Sequence, residues 1–415
     1  MNARSRAKKR RRPSLSRNNL RIGIDATEAG IADGERGGVY QYVSQLMRQL
    51  CRLAPSAEFR LMFALPRQRH RISIRQFVAS LQACNVISRR TLLPLRWLHR
   101  LHVPVDVLLG GVDVFHAPAH IGPYCHACPM VVTVHDLAFL RDLGDGRMVD
   151  RLDADERRQW IVRQRFFAQL SRNVARSAER ARLVIAVSHA AAQDLTASLR
   201  VPASKLRVVQ NGLRPHMARV TAPELLAAVR RRHRLESGDY WLYVGVLDPN
   251  KNLPTMIEAY ASYRRGGGKS ALVIAGRARF LGGTLQALVA ALGLSRHVRF
   301  LGYVEDEELP ALYSSALGLL MPSPLEGFGL PALEAMACGT PVIAARSGAL
   351  PEVVGDAGLL VEAYDARQLG ETMQRLDQDR ALRTVLAAAG MRRAAGFSWE
   401  RAARETLAVY AEAVG

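Results

Sequence analysis

The chain reads as an α/β protein of two doubly wound, parallel-sheet domains, and three observations carry that expectation. Short apolar runs alternate with helical stretches through both halves, the pattern of repeated strand–helix–strand units. A length of 415 residues exceeds what one ordinary core encloses and suffices for two. The third observation is local: MPSPLEGFGLPALEAMACGTPV, Met321 to Val342, spells a strand–loop–helix–strand unit with its start and stop signals in place.

In the first half, strands are expected at Arg21–Asp25, Phe59–Ala64, Val112–Ala117, Val131–Val134, Arg182–Val187 and Leu206–Val209. In the second they fall at Tyr240–Gly245, Ala271–Ala275, Val298–Leu301, Leu317–Met321, Val342–Ala345 and Gly358–Val361. After the first strand, Gly37-Gly38 precedes an amphipathic helix carrying Val39, Tyr40, Val43, Leu46 and Leu50. The strand VVTV ends on His135-Asp136. The domain boundary is placed between Leu213 and Glu224, which gives a first domain over 20–213 and a second over 214–396. Sheets of this type open their ligand crevices at the carboxyl ends of strands, so a substrate is expected in the cleft between domains.

The Met321–Val342 segment is the most informative of these. Pro331 suits the first turn of a helix, where its missing N–H is no loss; Gly339 supplies the stop, and Pro341 opens the next strand. Gly327 and Gly329 let the backbone approach a ligand closely, while the free N–H groups at the helix start favour a diphosphate. No Ser, Thr, Asp or Asn immediately precedes Pro331, which leaves those donors for a ligand. Glu326 precedes the helix and Glu334 lies in its first turn, so both carboxylates can flank one ligand and accept hydrogen bonds from sugar hydroxyls. Taken alone, such a pair reads rather as a local cap and a complement to the helix dipole.

Glu326-Gly-Phe-Gly-Leu-Pro-Ala-Leu-Glu334, continued by AMACGTPVIAARSGALPEVVGDAGLLV, resembles the Glu-x7-Glu signature of the retaining glycosyltransferases of family 4. These have the GT-B fold, two Rossmann-like domains facing across a cleft. The resemblance extends through YVGVLDPNKNL (243–253), LVIAGRA (272–278), FLGYVEDEELPALYSSA (300–316), VVTVHDLAFLR (131–141), RLVIAVSHAAAQDL (182–195) and LRVVQNGL (206–213). Only about the first twenty residues and 68–108 lie outside it.

The resemblance implies a role for each matched position. Glu326 and His135 would contact the transferred sugar and Glu334 the ribose, with the backbone at Tyr303 and Val304 beside the base. Gly327, Phe328, Gly329 and Leu330 would form the donor loop, Lys251 would bind phosphate, and the loop at Gly38 would lie near the donor diphosphate. Asp136 would orient loop backbone, Asn211-Gly212 would link the domains, and the closing helix over 397–415 would cross back onto the first domain. Many relatives also carry an arginine in the lysine loop, where this chain has Val246 and Asn250; Arg277 is the candidate substitute. The implied chemistry is a same-face displacement with retention, in which a donor phosphate oxygen helps deprotonate the acceptor and no protein nucleophile takes part. Neither a metal nor any cofactor besides the nucleotide-sugar donor is expected. The carboxylate pairs Asp153-Ala-Asp155 and Asp377-Gln-Asp379 fall in polar segments away from the cleft.

Composition bounds the remaining choices. Five cysteines, Cys51, Cys84, Cys125, Cys128 and Cys338, are too few and scattered for a disulfide framework, which points to a reducing compartment. Cys125-His-Ala-Cys128 has no second CxxC to complete a zinc site and reads as incidental thiols. The N-terminal RSRAKKRRRPSLSR has no apolar stretch behind it, so residues 1–19 are expected to be a disordered basic tail rather than a secretory signal.

Residues 1–214 hold 36 Lys plus Arg against 16 Asp plus Glu, while 215–415 hold 22 against 21, so the excess charge is all in one half. Such asymmetry implies an anionic partner. LLPLRWLHRLHVPV (92–105) interleaves Trp97 and leucines with Arg96, His99 and Arg100, as an interfacial segment does. No recognition-helix motif or zinc-finger spacing supports nucleic acid as that partner, although a basic nucleic-acid-binding protein is the alternative from another class. The expected location is cytoplasmic, or peripheral on the inner face of the cytoplasmic membrane.

The GxLxPxKN form of the lysine loop resembles mannosyltransferase members of the family. The favoured reaction is therefore transfer of mannose from GDP-mannose to a polyprenyl-diphosphate-linked oligosaccharide in bacterial envelope polysaccharide synthesis. Transfer from a UDP- or ADP-sugar to a soluble glucan or small acceptor is the other reading.

Overall fold

Thirteen strands form two separate sheets among the described residues of the computed structural model, which are 20–31, 37–64, 70–83, 85–91, 93–140, 154–236, 238–278 and 281–415. The expected tail over 1–19 lies outside them. The first sheet comprises β1 (Arg21–Asp25), β2 (Glu58–Phe63), β3 (Val86–Arg90), β4 (Val114–Ala117), β5 (Met130–Val134), β6 (Leu183–Ala186) and β7 (Leu206–Val208), in the order β3-β2-β1-β4-β5-β6-β7. The second comprises β8 (Tyr240–Val244), β9 (Ala271–Ala275), β10 (Val298–Gly302), β11 (Gly318–Met321), β12 (Val342–Ala345) and β13 (Leu359–Val361), in the order β10-β9-β8-β11-β12-β13.

Every pairing in both sheets is parallel. Parallel strands covered on both faces read as unbroken apolar runs, and Leu-Val-Ile-Ala of β6 and Val-Ile-Ala-Ala of β12 are buried throughout. Winding reverses beside β1, which lies between β2 and β4, and beside β8, which lies between β9 and β11. The crevice of each sheet therefore opens where the loops leave the carboxyl ends of these strands. The expected strands agree with the observed ones to within a residue or two.

The exception is β3, which falls in a stretch where no strand was expected. It is an edge strand, Val-Ile-Ser-Arg-Arg, paired only with β2 and largely exposed, so it shows little of the apolar signal of a central strand.

Two segments join the lobes. Beyond Asn211-Gly212, Leu213 pairs with Ser398 of the returning chain and its N–H bonds Phe397 O at 3.1 Å. Ser398 then caps the helix Trp399–Val414, which lies against the helix Gly38–Leu53 of the first lobe. Its Tyr410 is fully buried, with the hydroxyl 2.7 Å from His116 Nδ1.

The second segment is the helix Ala154–Arg180, whose 27 residues span about 40 Å. Its Val174 and Ala178 are buried in the first lobe, while Trp160 is buried among Tyr243, Leu247 and Leu253 of the second.

Candidate functional site

The site is built at the carboxyl ends of β8 and β11. Asp248 caps the short turn Pro249–Lys251 by accepting from Asn250 N at 3.1 Å, which turns Lys251 toward the loop after β11. Lys251 Nζ then donates to Glu326 Oε1 at 2.7 Å. Burial alone would pull the ammonium's pKa down, but the Glu326 carboxylate, with Asp136 and Asp248 nearby, outweighs it and leaves the pKa raised.

Three residues beyond Glu326, Gly329 has φ +95° and ends the loop in the left-handed region that favours glycine. It forms the N-cap of the helix Leu330–Ala337, and no side chain caps that helix, whose first turn holds Pro331. Phe328 is buried, packed edge-on against Phe397 with centroids 5.8 Å apart, and Leu330 is half-buried.

At Gly327 the second lobe meets the strand end of the first at His135. A Cβ on it would lie 1.8 Å from His135 O, so only glycine permits this approach, and Ser188 Oγ donates to Gly327 O at 2.7 Å. The His135 ring is buried, edge-on to Tyr42 at 4.6 Å and to His120 at 5.1 Å. Its Nε2 is 2.7 Å from Pro118 O, and because a carbonyl only accepts, Nε2 carries the proton. Burial, reinforced by His120, lowers the His135 pKa to about 3, so the ring is neutral at pH 7. Folded His135 binds fewer protons than unfolded His135 below pH about 6.5 and withdraws stability as pH falls toward 3. Asp136 Oδ1 accepts from Ala138 N at 3.0 Å, so this carboxylate holds loop backbone.

A cavity of about 840 Å³ opens between the lobes here. His120 and Asp136 line one side, Asp248, Asn250 and Lys251 another, and Arg163 with Phe166 and Phe167 of the bridging helix a third.

Glu334, expected to flank one ligand together with Glu326, is held by the protein's own groups. Its side chain is 6% exposed: Oε1 accepts from Arg214 Nε at 2.7 Å and Oε2 from Tyr313 Oη at 3.1 Å. Arg214 also bonds Asp306 at 2.9 Å, and Gln41 of the first lobe donates to Asp306 at 2.9 Å. Glu334 therefore anchors a network between linker and lobes. The sequence signature carries no signal for it, because Arg214 comes from the linker, 120 positions away.

The other expected residues fall around this centre. Arg277 stacks over the Tyr303 ring at 4.3 Å rather than lining the cavity at Lys251, which leaves the substitute cation unaccounted for at that position. Tyr303 is exposed and Val304 buried, both just past β10. Gly38 opens its helix with nothing near the position a Cβ would take, and residues 32–36 before it lie outside the described ones.

The described members of the two carboxylate pairs have local partners. Asp155 pairs with Arg158, Asp377 accepts from Tyr263 Oη and Asp379 caps the helix Arg380–Ala394, while Asp153 is outside the described residues. Among the described residues no three His, Cys, Asp or Glu side chains gather as a metal-ligand set. Cys125 and Cys128 are half-buried free thiols. They border a second cavity of about 830 Å³ with Arg180, Arg182 and Lys205, on the side of the sheet where β5 and β6 begin.

Comparison with known proteins agrees with this architecture. Residues 36–216 match the family model described as Glycosyltransferase Family 4, and residues 228–393 match Glycosyl transferases group 1. The O-antigen chain mannosyltransferase B of Escherichia coli is 31% identical over 242 residues, 58% of this chain and 63% of that protein. The MMP alpha-(1->4)-mannosyltransferase of Mycolicibacterium hassiacum is 35% identical over 292 residues, 69% of this chain and 66% of that one. A D-inositol 3-phosphate glycosyltransferase of Salinispora arenicola is 40% identical over 199 residues, 45% of this chain and 44% of that one. The chain thus spans less than two thirds of the length of each of these relatives.

Among solved structures, Anabaena Alr3699/HepE in complex with UDP and glucose superposes with a TM-score of 0.69 at 19% identity, covering 95% of this chain and all of that one, which establishes the shared GT-B fold. With both halves matched by family models and the Glu326–Glu334 signature seated in that fold, the chain belongs to glycosyltransferase family 4.

Proposed function

We propose that the protein is a retaining hexosyltransferase that moves mannose from GDP-mannose to a polyprenyl-diphosphate-linked oligosaccharide of the bacterial envelope. The observation that carries the reading is the Lys251–Glu326 pair, set at 2.7 Å beside the point where Gly327 meets His135. Such a pair offers a cation to a departing diphosphate and a carboxylate to sugar hydroxyls. As the anomeric C–O bond breaks, its electron pair passes to the diphosphate oxygen, which takes the acceptor's proton while the acceptor oxygen bonds the same face of the sugar. Neutral His135 is suited to contacting the sugar as a dipole, since its Nε2 proton is committed to Pro118 O. Glu334 would receive the ribose alongside Arg214, as a carboxylate has about four lone-pair sites.

Mannose as the sugar is supported by the two mannosyltransferase relatives and by the form of the lysine loop. The D-inositol 3-phosphate glycosyltransferase relative favours the competing small-acceptor reading. Thermal-shift titration separates the donors: GDP-mannose is expected to raise the melting temperature more than UDP-glucose, UDP-GlcNAc or ADP-glucose, and EDTA to change nothing. A larger shift with a UDP-sugar would discard mannose.

A lipid-linked acceptor requires the membrane surface, and the segment after β3 is suited to it. Leu93, Trp97, Leu101, Val107 and Leu108 are exposed there, with Arg100 over the Trp97 ring at 5.5 Å, while Leu98 anchors the segment in the core. No helix among the described residues is long and apolar enough to cross a membrane. The protein is expected to float with vesicles containing anionic lipid, less so at high salt, and weakly when Trp97→Ser and Leu101→Ser are combined. Indifference to such vesicles would favour the soluble acceptor.

A further inference from the structure

The loop after β8 holds a single cation, Lys251. The fold supplies an arginine from the opposite direction. Arg163 lies on the half of the helix Ala154–Arg180 that docks onto the second lobe, with its guanidinium 4.6 Å from the Phe167 ring centroid and 5.4 Å from that of Trp160. Its side chain is 7% exposed and its Nη2 lies 2.7 Å from Asp248 Oδ1. Asp248 in turn builds the lysine loop, accepting from Asn250 N with its side chain and from Lys251 N with its carbonyl at 2.9 Å. Arg163, Asp248, Asn250 and Lys251 line one cavity.

We infer that Arg163 is the second cation of the donor diphosphate site, delivered by the first lobe to complete the clamp that Lys251 begins in the second. This rests on the glycosyl-transfer reading above and deepens it. Each cation has a carboxylate partner, Lys251 with Glu326 and Arg163 with Asp248, so the charges are neutralised in pairs. A diphosphate entering the cavity adds charge that both cations can share. A planar guanidinium held over two rings offers a fixed fork to phosphate oxygens, a geometry an ammonium does not provide. Because Arg163 belongs to the bridging helix, diphosphate binding and docking of that helix onto the second lobe share one contact.

Calorimetric binding of GDP and UDP, each against its parent nucleoside, tests the assignment. Arg163→Gln is expected to weaken the preferred diphosphate about 10- to 100-fold while leaving the nucleoside unchanged, and Arg163→Lys to restore part of the loss. Asp248→Asn keeps a capping side chain but releases the guanidinium, so it is expected to tighten diphosphate binding. This second variant decides the matter even should Arg163→Gln fail to fold. A lowered melting temperature with an unchanged diphosphate-to-nucleoside ratio would make Arg163 a strut only, and weaker diphosphate binding by Asp248→Asn would also overturn the proposal. An effect confined to acceptor KM would reassign Arg163 to the acceptor. Wild-type protein that binds diphosphate no better than nucleoside would instead defeat the glycosyl-transfer reading.

Discussion

Lys251→Ala is expected to lower turnover about 100- to 1,000-fold while the far-ultraviolet circular dichroism stays that of the wild type, because in the proposed reaction the lysine's charge would serve the departing group more than the fold. In the structure this ammonium has Glu326 as its ion-pair partner, and the pair is only partly shielded, at 27% and 14% exposure. Ion pairs with such access to water contribute on the order of 1 kcal/mol or less to stability. The pKa shift sets the pH window. Since the folded pKa is raised, the stabilisation from the pair is fully present below the unfolded value of 10.5 and is lost only as pH rises through the folded value. Lys251 is therefore charged throughout the neutral range, and loss of activity between pH 6 and 9 would need another group. Glu326→Gln keeps an oxygen acceptor for Lys251 and is expected to lose turnover comparably. Steady-state kinetics with the donor that gives the largest thermal shift, alongside melting curves, separates a lost site from a lost fold. Retained turnover in both variants would remove Lys251 and Glu326 from the reaction.

How far the sequence reveals this molecule depends on whether a feature is local. Strands β8, β9, β11 and β12 are legible because burial on both faces leaves unbroken apolar runs, and the loop before Leu330–Ala337 is legible because Gly329 and Pro331 punctuate it. Glu326 and Lys251 can be singled out because each lies in a segment that resembles the family's motifs.

Features made by tertiary pairing are not legible in that way. Arg163 is one of seven arginines in its helix, and only its burial against Trp160 and Phe167 separates it from its neighbours. Glu334 looks like a partner of Glu326 at eight residues' spacing, yet its carboxylate faces Arg214 and Tyr313. Edge strand β3 escapes because solvent, rather than core, covers most of its side chains.

The contact between Gly327 and His135 gives the second large effect. Gly327→Ala would place a methyl carbon 1.8 Å from His135 O, about 1.5 Å or more inside contact distance. Neither side can yield cheaply. His135 ends a strand whose five residues are all buried, and Gly327 O is held by Ser188 Oγ, itself the cap of the helix His189–Leu199. The available response is for the lobes to part, which would carry Glu326 away from His135. Misplacement of about 1 Å at a reacting centre costs about 100-fold in rate, so turnover is expected to fall at least that far. Small-angle scattering should report a larger radius of gyration, and nucleotide binding, which the proposed function assigns largely to the second lobe, should weaken less than turnover. Wild-type turnover in Gly327→Ala would mean that the reaction does not pass through this closed arrangement, and the sugar-contacting role of His135 would fall with it.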